Sequence, residues 1–243
     1  MPEGHSLVLA ARRIRPVVGQ HVTAGPLAGT DVAAVETRGK HLLVHGADGR
    51  SLHVHLGMNG RVRLTEAGAG RGPHVLRTAA ADLVIAGTSR VEVRRRSDLR
   101  LALGPDLLGD GFDAAAYLRR ARRIDRPVAE LLLDQRVLAG IGNIVRAEVL
   151  WELRQDPFAP ASGLSDRRLL ELAVIARRML RAGVEAGGHL PRRVYRAGGR
   201  PCPRCRTEVR SVMQGEEVPR RLYYCPGCQC AKRGLTPFGA PER

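Results

Sequence analysis

The chain has 243 residues, 44% of them hydrophobic, with 40 Lys+Arg against 24 Asp+Glu and a formal net charge of +16. That apolar share supports a packed core and argues against a wholly disordered chain. No apolar run reaches the roughly 18 residues that would read as a membrane span, and no secretory leader is legible. So large a positive surplus wants a polyanion, with nucleic acid ahead of an anionic membrane. Only two of the 40 basic residues are lysine, Lys40 and Lys232. Arg stays charged at any useful pH, whereas Lys can lose its proton in the right surroundings, which singles out Lys40.

In chain order, residues 6–16 have helical spacing, with Leu7, Leu9, Ala10 and Ile14 on one face. Short β-leaning runs follow at 22–37, 41–45, 51–55, 61–65, 81–85 and 91–93. Glycine-containing turns separate them, and the spacing suggests a sandwich or barrel. The texture turns helical near Gly111. Helices are predicted over 113–123, with Asp113 as N-cap, and over 127–135, 143–153 and 165–185. Trp151 reads as core. A cysteine hairpin occupies 197–230, and a Gly- and Pro-containing tail, predicted to be poorly ordered, follows at 231–243. The predicted organisation is therefore multidomain α+β, with a β-sandwich and leading helix over 1–112, a helical unit over 113–196, a finger over 197–230 and a flexible tail.

Three local patterns carry chemistry. Cys202, Cys205, Cys225 and Cys228 form two C-x2-C pairs nineteen residues apart, the spacing of a structural, four-coordinate Zn²⁺ site. Cys230 reads as a spare thiol. Arg206, Arg210, Arg220 and Arg221 between the pairs suit a nucleic-acid backbone or a plain solvated face. Gly140-Ile141-Gly142-Asn143 reads as a glycine turn opening a helix capped by Asn143. Its backbone N–H groups either cradle a phosphate or form a tight corner with no ligand. At the start, Met1-Pro2-Glu3-Gly4-His5 would expose a secondary amine at Pro2 once Met1 is removed. An α-amino group with a pKa of about 7.7–8.0 can attack an aldehyde to give an iminium, with Glu3 beside it as acid or base. His41, His45, His53 and His55 alternate along β segments, which points to packing or exposed faces rather than metal ligation.

Pro-Glu-Gly at the start, Arg38-Gly39-Lys40, Gly-Ile-Gly-Asn-Ile before a helix and a finger ending Cys-Pro-Gly-Cys-Gln occur in one order. Together they closely resemble the formamidopyrimidine-DNA glycosylase / endonuclease VIII family of base-excision repair enzymes, over about residues 1–230. His55-Leu56-Gly57-Met58-Asn59-Gly60, Leu103-Gly104-Pro105-Asp106 and Leu133-Asp134-Gln135 agree. The resemblance implies a β-sandwich, a helix–two-turn–helix domain and a zinc finger with DNA between them. It also implies a bifunctional enzyme that removes an oxidised base and then cuts the strand by β,δ-elimination. By position, Pro2 resembles the Schiff-base nucleophile and Glu3 the general acid/base. Lys40 resembles the lysine that contacts phosphate and assists elimination. Asn143, with Gly142 beside it, resembles the phosphate grip. Arg220 resembles the finger arginine, with Arg221 as the alternative register. A guanidinium is a poor acid, so charge stabilisation and phosphate positioning come first for Arg220.

Met58 resembles a side chain that fills the gap left by the everted base. Arg94-Arg95-Arg96-Ser97-Asp98 is the nearest match to an Arg-Arg-Phe-Gly wedge and has no Phe, leaving Arg94 as its DNA contact. That departure, the short 187–201 interval and Val35-Glu36-Thr37-Arg38-Gly39-Lys40 favour the endonuclease VIII branch, whose lesions are oxidised pyrimidines. His5 lies next to the catalytic pair, where it either touches the lesion or is a plain helix N-terminal residue. The implied partner is double-stranded DNA with oxidised bases or abasic sites. The implied setting is the bacterial cytoplasm at the nucleoid, and one active site per chain suggests a monomer. Two other readings remain: a DNA-binding module of the same fold without catalysis, and an unrelated zinc-ribbon RNA-binding protein.

Overall fold

The computed structural model describes residues 2–87, 90–215 and 219–230; the predicted tail lies outside them. Helix α1 (Gly4–Ile14) leads into two four-stranded sheets. One has the order β1-β6-β7-β5, from β1 (Val22–Ala24), β6 (His74–Thr78), β7 (Ala81–Ala86) and β5 (Arg61–Glu66). The other has the order β2-β3-β4-β8, from β2 (Val32–Arg38), β3 (His41–Gly46), β4 (Arg50–His55) and β8 (Arg90–Arg95). Alternation explains the packing. Leu42 and Val44 pair with Val54 and Leu52, and all four turn inward with Leu83, Ile85 and the Leu7–Ala10–Ile14 face of α1. The predicted 22–37 run is two strands. Gly25 and Gly29 hold positive φ of 100° and 85°, and Ala28 N–H bonds the Gly25 carbonyl, so the chain turns between them.

The second layer holds α2 (Ala114–Ala121), α3 (Val128–Leu131), α4 (Asn143–Glu152) and α5 (Asp166–Glu185). Asp113 and Ser165 cap α2 and α5 as their residue types favour, each accepting a backbone N–H. The helix expected over 127–135 stops at Leu131. Asp134 turns back to accept from the Arg136 N–H, and the Gln135 amide is drawn to the Leu133 and Ile141 carbonyls. The finger contains β9 (Arg210–Gln214), its antiparallel partner β10 (Arg220–Tyr224) and the short α6 (Pro226–Gln229). Cys202, Val209, Leu222 and Tyr224 belong to the same buried cluster as Trp151 and Leu150 of α4, so finger and helices share one core. Among the described residues, no helix is long and apolar enough to cross a membrane.

The histidines divide as the alternation dictates. His41 Nδ1 lies 2.7 Å from His53 Nε2, and its ring centroid is 5.0 Å from that of His55. His45 is buried against Ser51 Oγ at 2.6 Å. Burial, then the neighbouring His53 and His55, push His41 from the ordinary 6.5 down to about 4. The unfolded chain takes up that proton below 6.5 and the folded one only near 4. Stability from this group is therefore lost as pH falls through that window. The melting temperature is expected to drop by a few degrees across it, and His41→Gln to flatten the drop. Scanning calorimetry at several pH values checks this, and an unchanged slope in the variant contradicts it.

Candidate active site and four-cysteine centre

Gly142, not Asn143, takes the N-cap position of α4, and Asn143 is its first helical residue. The N–H groups read as either a phosphate cradle or a tight corner with no ligand are filled from within the chain. The Glu3 carboxylate accepts from Ile144 N–H at 2.6 Å and Val145 N–H at 3.3 Å. A helix N-terminus favours an anion, and here Glu3 supplies it from 141 residues away. The glycines make the approach possible: a Cβ on Gly142 would overlap the Glu3 side chain, and Gly4 N–H bonds the Gly140 carbonyl at 2.9 Å. Gln135 shapes the turn, accepting from Gly140 N–H at 3.0 Å while donating to the Ile141 carbonyl at 3.1 Å.

Glu3 is fully buried, which raises its pKa. The Lys40 charge and the N–H groups of Ile144, Val145 and Gly142 oppose that rise. Lys40 lies in the β2–β3 turn, whose Gly39 N–H is held by Asp106 Oδ2 at 2.6 Å. Burial lowers Lys40 to about 8, with the Arg220 and Arg146 charges acting in the same direction and Glu3 against it. The site thus pairs a carboxylic group that holds its proton longer than usual with an amine that releases its proton sooner. Pro2, partly exposed, immediately precedes Glu3.

The finger closes on this group. Arg220 Nη1 lies 3.3 Å from Met58 Sδ, so the finger meets the sandwich loop directly. Asn143 donates its side-chain N–H to the Arg221 carbonyl at 2.8 Å, and the buried Arg146 donates to the same carbonyl at 3.2 Å. Glu3, Lys40, Met58, Gly142, Asn143, Arg220 and Arg221 therefore come together. Arg94 does not join them; its exposed guanidinium pairs with Glu92 at 2.7 Å. His5 is buried beside Gly183, where a Cβ would come within 3.1 Å of its ring, and burial lowers its pKa.

Sequence reasoning assigned no role to Asp106, Gln135 or Glu148. The first two stand in the segments 103–106 and 133–135 noted for the resemblance. Glu148 accepts from the consecutive N–H groups of Arg193, Val194 and Tyr195 at 2.8, 3.0 and 2.8 Å, fixing the loop after α5. That loop covers a cavity of about 280 Å³ lined by Ile144, Val145, Met179, Ala182 and Leu190. Ile144 and Val145, whose N–H groups Glu3 caps, form part of its wall beside Glu148, Glu152 and Arg178.

The sulfurs of Cys202, Cys205, Cys225 and Cys228 lie within 4.8 Å of one another, with Cys202–Cys228 at 3.8 Å and Cys205 at 3.4 Å from both Cys225 and Cys228. Thiolates at about 2.3 Å from a tetrahedral Zn²⁺ stand roughly 3.8 Å apart, so the set fits such an ion. Cys230 stays outside the four, its Sγ 3.9 Å from Asp156 Oδ1. In the first knuckle Arg206 holds a positive φ of 64°. An L side chain is strained there and glycine is not, though glycine costs more backbone entropy. Arg206→Gly is expected to stabilise the protein by about 0.5–1 kcal/mol. Thermal denaturation checks this, and a lower melting temperature would contradict it.

Residues 5–102 match the formamidopyrimidine-DNA glycosylase N-terminal domain, and residues 103–193 match the H2TH domain of the same enzymes. A formamidopyrimidine-DNA glycosylase of Pseudomonas putida is 33% identical, over 92% of this chain and 90% of its own. A protein of Streptomyces coelicolor named "Probable endonuclease 8 2" is 34% identical over 94% of each. The crystal structure of the MutM (Fpg) protein of Thermus thermophilus superposes with a TM-score of 0.82 at 31% identity, covering 94% of this chain and 99% of the other.

Proposed function

The chain belongs to the formamidopyrimidine-DNA glycosylase family of base-excision repair enzymes, and on that premise we propose that it removes oxidised pyrimidines and then cuts the strand through a Schiff base on Pro2. The observation that carries this reading is the seating of Glu3 on the N-terminus of α4, within the field of Lys40. That contact supports the reading because it holds Glu3, the residue next to Pro2, against the helix that Asn143 opens.

The damaged base must leave the stack before C1′ is exposed to the Pro2 amine. The Pro2 nitrogen forms a bond to C1′ as the C1′–N bond to the base breaks, and the base leaves with the proton that the amine gives up. Glu3 then protonates the ring oxygen as the C1′–O4′ bond breaks, which opens the sugar and leaves the iminium. The iminium then acidifies C2′, whose proton leaves as the 3′ C–O bond breaks, and a second elimination releases the 5′ phosphate. Lys40, as a cation, steadies the phosphate charge that develops on elimination. Arg220 does so from the finger side, and Met58 fills the vacated stack. Asn143 keeps one amide hydrogen on the Arg221 carbonyl and turns the other toward a phosphate. Cys202, Cys205, Cys225 and Cys228 would hold a Zn²⁺ whose part is structural, keeping the finger's shape.

The endonuclease VIII branch rests on the absence of Phe from the 94–98 loop and on the short 187–201 interval; the relatives divide, the Streptomyces protein carrying that branch's name and the Pseudomonas protein the other's. Duplexes carrying one oxidised pyrimidine, one 8-oxoguanine or one abasic site test the reading under single turnover. The oxidised pyrimidine should be released fastest and the abasic strand cut with β,δ products. Faster release of 8-oxoguanine would overturn the branch. Binding without cutting would favour the non-catalytic module.

A further inference from the structure

Trp151 is the chain's single tryptophan, and none of the chemistry above uses it. It lies near the C-terminal end of α4, 8% exposed, and its indole N–H donates to the sulfur of the fully buried Cys202 at 3.3 Å. Arg204 stacks over the same ring at 4.0 Å and donates to the Trp151 carbonyl at 2.9 Å. At the other end of α4, Asn143 and Arg146 hold the Arg221 carbonyl of β10. The finger is thus fastened to one helix at two points. Glu3 caps that helix, and Arg220 adjoins the point at its N-terminal end.

We propose that Trp151 is a positioning residue that ties the four-cysteine centre to the active-site helix by hydrogen-bonding the Cys202 thiolate. The inference rests on the zinc reading given above. Four thiolates around one divalent ion leave a net charge of −2, and a buried donor aimed at one sulfur offsets part of it. Such partners orient ligands and strengthen metal holding. Hydrogen bonds to charged acceptors are stronger than those to neutral ones. Phenylalanine would fill much of the same space; only the indole adds the N–H.

The test compares the wild-type protein with Trp151→Phe, beginning with metal content by mass spectrometry. One zinc per chain is expected in each. With a colorimetric chelator, the variant should release zinc about tenfold faster. Because Trp151 is the only indole, wild-type emission should also shift when zinc is withdrawn. On an abasic duplex the variant should form the Schiff base at the wild-type rate yet give a smaller share of δ-elimination product, since Arg220 placement depends on the tie. Equal release rates in the zinc-loaded proteins would overturn the inference while leaving the zinc reading intact. Unchanged wild-type emission on zinc withdrawal would overturn it too, without relying on the variant. Wild-type protein free of zinc would overturn the zinc reading and this inference with it.

Discussion

Glu3→Gln is expected to slow base excision by about 10²–10⁴-fold, the usual contribution of a positioned acid or base. The carboxylate faces two backbone N–H groups at 2.6 and 3.3 Å. A glutamine offers one acceptor oxygen and turns an NH₂ toward the other N–H. The variant therefore keeps one of the two N–H contacts at the helix N-terminus and loses the transferable proton. Burial raises the Glu3 pKa despite these contacts, so the neutral glutamine loses one N–H contact while shedding the cost of a buried charge, and the melting temperature should change little while the rate falls. Single-turnover excision on a lesion duplex and thermal melting of the free protein measure the two effects. Excision near the wild-type rate would remove Glu3 from the chemistry and leave it as a helix cap.

Lys40 is expected to separate charge from proton lability. Lys40→Met removes the cation and should lower kcat/KM by about 10²–10³-fold, the scale seen when one transition-state donor is removed. It should also raise the Glu3 pKa further, because the Lys40 charge opposes the effect of burial there. Lys40→Arg keeps the cation and cannot release its proton. If the protonated lysine is the active form, wild-type kcat/KM falls as pH rises through about 8, where burial has placed this amine. In Lys40→Arg that alkaline limb should vanish while activity near neutrality persists. A pH profile of kcat/KM on abasic DNA decides the matter, since it reports groups of the free enzyme. An alkaline limb retained in Lys40→Arg would assign it to another group.

What was legible in the sequence was local. The 3.6-residue spacing of Leu7, Ala10 and Ile14 gave α1, and Asp113 and Ser165 gave the starts of α2 and α5. The C-x2-C pairs gave the four-cysteine centre, because each pair is a short turn whose geometry travels with its spacing. What the sequence hid were contacts between distant segments. Nothing near Glu3 announces that it caps a helix beginning at Asn143, and nothing near Asp106 announces that it holds the Gly39 N–H 67 residues away. The glycine turn looked open to an anion because the anion that fills it lies at the other end of the chain. The overlong 127–135 helix failed for a similar reason. Leu131, Leu132 and Leu133 suit a helix, but Gln135 is needed by the turn at 140–141, and that demand is tertiary. The family resemblance brought most of the site residues to notice, and the structure adds why they stand where they do.

A covalent bond between the Pro2 amine and the sugar underlies both base release and strand cutting as proposed. Borohydride reduction of a mixture of Met1-processed protein and a duplex with one abasic site tests for it, with processing verified by mass. A stable protein–DNA adduct whose crosslinked peptide maps to Pro2 is expected. No adduct from protein that has a free Pro2 amine and still binds the duplex would contradict it.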